Sequence, residues 1–100
     1  MNYFTYLIVT INKKNSLTSY VGYTNNLKKR LNLHNTSKGA KYTRGKKWYL
    51  AYYKKYTTKK TAMKEEYKLK KNLKRRAEIK KKFLTKKVHS NIIKLDLWNY

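Results

Sequence analysis

Nine residues near the start, Tyr3-Phe4-Thr5-Tyr6-Leu7-Ile8-Val9-Thr10-Ile11, carry no charge and are dense in β-branched and aromatic side chains. Such a run reads as a β-strand. Side chains of a strand alternate between two faces, and here both faces are apolar, which suits a strand that is well covered. Asn12-Lys13-Lys14-Asn15-Ser16 reads as a turn. Thr18-Ser19-Tyr20-Val21-Gly22-Tyr23 reads as the strand that returns from it, completing a hairpin.

Beyond the hairpin the pattern changes to helical. Asn25 or Asn26 caps a helix that runs to about Asn35. At 100° per residue, Leu27, Leu31 and His34 fall in one narrow stripe with Arg30 at its edge. Residues 36–47 form a basic loop with two glycines and one aromatic, Tyr42. Trp48 to Tyr56 reads as a third strand. Thr57 or Thr58 caps a second helix through about Leu73, and Arg75 to Leu84 forms a further short one. The residues from Thr85 to Tyr100 mix apolar and polar side chains without a period. The expected architecture is α/β: a small three-stranded antiparallel sheet flanked by helices, in one domain over residues 1–84, with 85–100 as an extension of unassigned role.

Charge narrows the function. The 100 residues hold 27 Lys and Arg against four acids, Glu65, Glu66, Glu78 and Asp96, for a net charge of +23. So small and cationic a chain repels itself unless a polyanion lies against it. Nucleic acid is the default partner, because Lys and Arg at phosphates release condensed counterions. An anionic membrane surface is the runner-up. A coding bias toward Lys, Asn, Tyr and Ile accounts for the excess of Lys over Arg, but it does not account for the missing acids. The first 24 residues carry only Lys13 and Lys14, so an apolar sheet is joined to a basic remainder that can face phosphates. The chain has no Cys, which excludes disulfides and Cys-based zinc sites. The apolar run at 3–11 is too short to span a bilayer and lacks a basic lead-in, which points to an intracellular setting and no membrane partner.

One acid is placed oddly. Ala62, Glu66, Leu69 and Leu73 are spaced i, i+4, i+7 and i+11, within about 60° of one another on a helical wheel. Glu66 therefore lies in the stripe expected to face the core, while Glu65 points to one side. A carboxylate there is unfavourable unless a cation or hydrogen-bond donors meet it. One reading is a rim Glu paired with a nearby lysine. The other is a metal ligand, because Mg²⁺ takes few protein oxygens and keeps several waters.

With these residues in view, the sequence resembles the GIY-YIG nuclease family. Phe4-Thr5-Tyr6 stands at the first signature triplet and Tyr20-Val21-Gly22 at the second. Gly22-Tyr23-Thr24-Asn25-Asn26-Leu27-Lys28-Lys29-Arg30-Leu31, followed by His34-Asn35, is similar to the segment carrying the family's arginine and histidine. Gly39-Ala40-Lys41-Tyr42-Thr43 looks like the loop of the branch that holds the Slx-type structure-specific endonucleases and the small bacterial YhbQ-like proteins (UPF0213). Ala62-Met63-Lys64-Glu65-Glu66 places Glu66 at the family's metal-binding glutamate. The resemblance covers roughly residues 3–84. The first triplet departs from the pattern by lacking its Gly and Ile, and the two tyrosines sit wider apart than in many members.

The resemblance implies a metal-dependent DNA endonuclease. Glu66 would hold Mg²⁺ or Mn²⁺, and Arg30 would meet charge developing at the phosphate. Tyr6 or Tyr20, preferably Tyr6, would take a proton from the attacking water, with Arg30 and the metal favouring its phenolate. His34 would orient Tyr6, contact phosphate, or simply pack beside Leu31. Tyr23 would play at most a supporting part. Lys38, Lys41, Arg44, Lys46 and Lys47 would grip phosphates, and Tyr42 would stack on an exposed base. Such contacts read little base sequence, and the sequence leaves open which DNA structure is preferred, branched or flapped forms among them. Two alternatives stand beside this reading: a basic module that binds nucleic acid without cutting, and a nuclease subunit that needs a partner. A homodimer or another protein partner is left open.

Overall fold

A computed structural model of the chain describes residues 2–12, 14, 16–36 and 41–89, with side chains through residue 86. Strands β1 (Tyr3–Ile11) and β2 (Leu17–Thr24) form the hairpin. Helix α1 (Leu27–Asn35) and a 3₁₀ turn at Lys41–Thr43 follow. Strand β3 (Tyr49–Tyr56) and helices α2 (Lys59–Lys71) and α3 (Leu73–His89) complete the order. The sheet is antiparallel throughout, with strand order β2-β1-β3.

The central place of β1 explains its composition. Tyr6 and Ile8 join Leu27, Leu31, Trp48 and Leu50 in a core on the α1 side. Leu7 and Val9 join Leu17, Val21, Tyr49, Leu69, Ile79 and Phe83 on the side of α2 and α3. Leu7, Ile8 and Val9 are all fully buried, and burial of each aliphatic side chain stabilises by about 1.5–3 kcal/mol. The hairpin turn closes on Asn12, whose Oδ1 accepts from the backbone N–H of Lys14 (2.9 Å) and Ser16 (3.1 Å), as a short amide side chain does when it imitates a backbone turn.

Strand β3 contains a bulge. Leu7 pairs with Tyr52 and Ile8 with Leu50, so Ala51 has no partner across the ladder. Trp48 stands just before the strand, not in it as the sequence reading had it. Asn35, at the end of α1, holds Trp48 at both backbone groups. Asn35 Oδ1 accepts from the Trp48 N–H (2.6 Å), and Asn35 Nδ2 donates to the Trp48 carbonyl (3.0 Å).

The helix starts follow cap chemistry. Asn26 Oδ1 accepts from the Lys29 N–H at 3.0 Å, and Thr58 Oγ1 from the Thr61 N–H at 3.2 Å. Each supplies a partner to an amide that the first turn leaves unpaired. Helix α2 is shorter than its apolar spacing implied. It ends at Lys71, and Asn72 Oδ1 accepts from the Arg75 N–H at 3.0 Å. Leu73 therefore opens α3 and is 75% exposed, not packed in line with Ala62 and Leu69. Helix α3 also exceeds the expected Arg75–Leu84 at both ends. Of the proposed extension, residues 90–100 lie outside the described residues.

Thr5 ties α2 to the sheet, its hydroxyl donating to the Ala62 carbonyl at 2.8 Å. Arg76 ties down α3. Its Nη2 donates to Ser19 Oγ (2.7 Å) and the Ser19 carbonyl (3.3 Å), its Nε to Ser19 Oγ (3.2 Å), and its Nη1 to the Lys70 carbonyl (3.0 Å). No helix among the described residues is long and apolar enough to cross a membrane.

Candidate active site

Tyr6 is buried, at 1% exposure, and its ring runs across the neighbouring strand where Gly22 pairs with it. A Cβ at Gly22 would run into the Tyr6 hydroxyl and lie 2.6 Å from its Cζ. A residue without a side chain is needed there because two chains approach closely, not because the backbone is unusual. The phenol then meets α1. The charge of Arg30 acts on it, and Tyr6 Oη lies 2.8 Å from His34 Nε2.

Behind His34 stands Thr43, whose Oγ1 is 2.8 Å from Nδ1. The Thr43 carbonyl accepts from Trp48 Nε1 at 2.9 Å. Thr43, His34 and Trp48 are all fully buried. His34 was expected on the apolar stripe of α1, and it is there, with both ring nitrogens engaged.

Burial sets the protonation states. It pushes the Tyr6 phenol up to about 12, overriding Arg30, which pulls it down. The charges of Tyr20 and Glu66 add smaller upward pushes. The sequence reading expected Arg30 to favour the phenolate; loss of solvation outweighs that attraction. Burial, with help from the Arg30 charge, lowers His34 to about 4, so its imidazole is neutral at pH 7.

Tyr20 lies two residues from Gly22, on the same face as Tyr6. Its ring meets the His34 ring edge-on at 5.3 Å and the Trp48 ring at 6.4 Å. Tyr42 stacks on it at 6.0 Å, with 21° between the planes, and Lys46 Nζ sits 4.5 Å from the Tyr42 ring centre. Tyr42 itself is 52% exposed. Lys41, Arg44, Lys46 and Lys47 are exposed around it. Lys38 lies outside the described residues.

Glu66 projects from α2, which packs on the other face of the sheet from α1. Its side chain is only 17% exposed, and Oε1 pairs with Lys70 Nζ at 3.0 Å. Its influence on Tyr6 is the weakest of those acting on the phenol. Glu65 points elsewhere, pairing with Lys68 and helping burial and Tyr52 to raise the Tyr56 phenol. The helical wheel separated these two glutamates correctly. Among the described residues, no three His, Asp or Glu side chains gather as a metal cage. A single carboxylate suits an ion that keeps most of its waters and shares a phosphate, and the exposed Lys70 can swing away from it. Tyr23 lines an open depression of about 350 Å³ with Tyr3, Thr24, Asn25, Arg30 and Lys59.

Sequence reasoning missed Thr43 and the anchoring of Trp48. Neither has a periodic signal, since each contact is made across the loop after α1.

The family model described as the GIY-YIG catalytic domain matches residues 2–82. A UPF0213 protein of Oceanobacillus iheyensis is 56% identical over 52 residues, which is 51% of this chain and 60% of that protein. The match thus spans about three-fifths of that relative. The UPF0213 protein YazA of Bacillus subtilis is 40% identical over 79 residues, covering 78% of this chain and 76% of the relative. A UPF0213 protein of Bacillus halodurans, solved by NMR, is 34% identical over 78% of this chain and 80% of its own, with a TM-score of 0.42.

Proposed function

The chain belongs to the GIY-YIG family, in its UPF0213 branch, and on that premise we propose that it grips DNA through its exposed cations and hydrolyses a phosphodiester beside Tyr6. The observation that carries the second part is the Tyr6 phenol, on which Arg30, His34, Tyr20 and Glu66 all act. The first part rests on a net charge of +23 and on the exposed Lys41, Arg44, Lys46 and Lys47 around Tyr42.

The residues divide the chemistry as follows. Arg30 offers a planar fork to the phosphate oxygens where negative charge builds. Tyr6 Oη accepts a hydrogen bond from the attacking water while its own proton points to His34 Nε2. As the water oxygen bonds to phosphorus and the leaving P–O bond breaks, the water proton passes to Tyr6 and the Tyr6 proton to His34. Burial keeps Tyr6 protonated and His34 neutral at pH 7, so the phenol is placed to relay a proton and not to act as a free phenolate. Mg²⁺ or Mn²⁺ held by Glu66 would supply charge relief at the scissile phosphate and the leaving oxygen.

A second reading is favoured by one contact. Glu66 Oε1 is already occupied by Lys70, as expected of a module that binds without cutting or of a subunit whose site opens only on a partner. Binding needs only the exposed cations and stands without the cutting step.

Incubation with single-stranded, duplex, flapped and four-way DNA, with and without Mg²⁺ or Mn²⁺, separates the readings. Metal-dependent cutting is expected, and Glu66→Gln should lower it by about 100-fold or more while DNA affinity changes less than about twofold, since one carboxylate hardly alters so cationic a surface. Undiminished cutting by the variant removes Glu66 from the chemistry. Binding with no cutting on any substrate leaves the non-catalytic module.

A further inference from the structure

The loop after α1 carries contact residues on its outside and one buried polar residue on its inside. Tyr42 and Arg44 face solvent while Thr43, between them, is fully buried. The Thr43 carbonyl accepts from Trp48 Nε1 (2.9 Å), and its hydroxyl lies 2.8 Å from His34 Nδ1.

The proton positions follow from the chain of contacts. Arg30, whose charge acts on the Tyr6 phenol, has donors and no acceptor, so the Tyr6 proton is directed at His34 Nε2, 2.8 Å from Oη. A neutral imidazole has one donor and one acceptor nitrogen. With Nε2 accepting, Nδ1 must carry the hydrogen and donate it to Thr43 Oγ1. The second contact of a histidine fixes which of its nitrogens is available to the first.

We propose that Thr43 is a positioning residue: its hydroxyl holds His34 in the Nδ1–H tautomer, which keeps Nε2 open to the Tyr6 proton and links the loop bearing Tyr42 and Lys46 to the reacting phenol. The proposal rests on the hydrolytic reading above. It assigns Thr43 no contact with the nucleic acid. A loop seated correctly on its ligand keeps Thr43 in place, and through His34 it keeps Tyr6 aimed. A loop pulled away releases the Nδ1 hydrogen bond and lets the imidazole turn.

The test is ¹⁵N NMR of the His34 ring in the full chain, with cleavage kinetics on the same samples. In the unaltered protein Nε2 should be the unprotonated nitrogen at pH 7. Thr43→Ser, which keeps the hydroxyl, should preserve that tautomer and the cleavage rate. Thr43→Val has nearly the same shape without the hydroxyl. It should give mixed tautomers and a kcat lower by about tenfold, the kinetic equivalent of one hydrogen bond, with KM changed less than about twofold. An Nε2–H tautomer in the unaltered protein overturns the proposal, as does a Thr43→Val protein whose tautomer or kcat is unchanged. A change in KM alone means that Thr43 only staples the loop, and also overturns it. If Thr43→Val does not fold, the spectra of the unaltered protein and of Thr43→Ser decide. If the unaltered protein cuts no substrate, the hydrolytic reading has failed, and the ring spectra still decide whether Thr43 sets the tautomer.

Discussion

Gly22 and Tyr6 show how one missing side chain shapes the candidate site. The phenol reaches α1 only because nothing projects from Gly22 beneath it. Gly22→Ala should force Tyr6 aside or push the strands apart, lowering stability by about 1–3 kcal/mol, as overpacking of a filled core does. Urea denaturation reads that loss, and the His34 ring signals should shift as the Tyr6 contact breaks. An alanine variant with native stability and unchanged ring signals would mean that the phenol has another place to go. At this scale the sequence was legible where a residue's place follows from a period. Leu27, Leu31 and His34 are the buried residues of α1, and Glu66 is more buried than Glu65. Protonation was not legible. The charge of Arg30 can be read from the chain, but the burial that overrides it at Tyr6 arises only when the hairpin, α1 and the loop close together.

Between elements, the junction of α2 and α3 is the place where a local cue outweighed a regular pattern. The apolar spacing continued to Leu73, yet Asn72 ends one helix and caps the next. A short amide side chain that satisfies a first-turn N–H competes with helix continuation. The second helix can then fold back so that Ile79 and Phe83 join the core. Arg76 fixes that return through Ser19, which is itself buried. Arg76→Ala should cost about 1–3 kcal/mol, because buried partners on β2 are left unsatisfied. Amide hydrogen exchange should show α3 opening before the sheet, and uniform exchange in the variant would show that packing alone holds the helix. Strand positions were more legible than this junction: β1 spans the residues its composition marked. The Ser19–Arg76 contact joins residues 57 apart, and no short-range pattern announces it.

For the molecule as a whole, charge and sheet geometry set the terms. The proposed DNA contacts use five cations: Arg30, Lys41, Arg44, Lys46 and Lys47. If all five are engaged on duplex DNA, the logarithm of affinity should fall with the logarithm of salt concentration with a slope of about −4 or steeper. Titrations over a range of KCl concentrations measure it, and a slope shallower than about −2 would place the contact surface elsewhere. The sheet divides the interior into two cores, and each strand sends side chains to both. Pairing keeps Leu50 beside Ile8 on one side and Tyr52 beside Leu7 on the other, although Ala51 stands between them. The unpaired alanine thus works as a spacer that preserves phase. Trimming the chain at Ala51 would leave both cores facing as they do. Trimming it between Trp48 and Leu50 would invert Trp48 and carry its indole away from the loop. Natural length variation in this strand should accordingly collect at that spacer and spare the stretch before it.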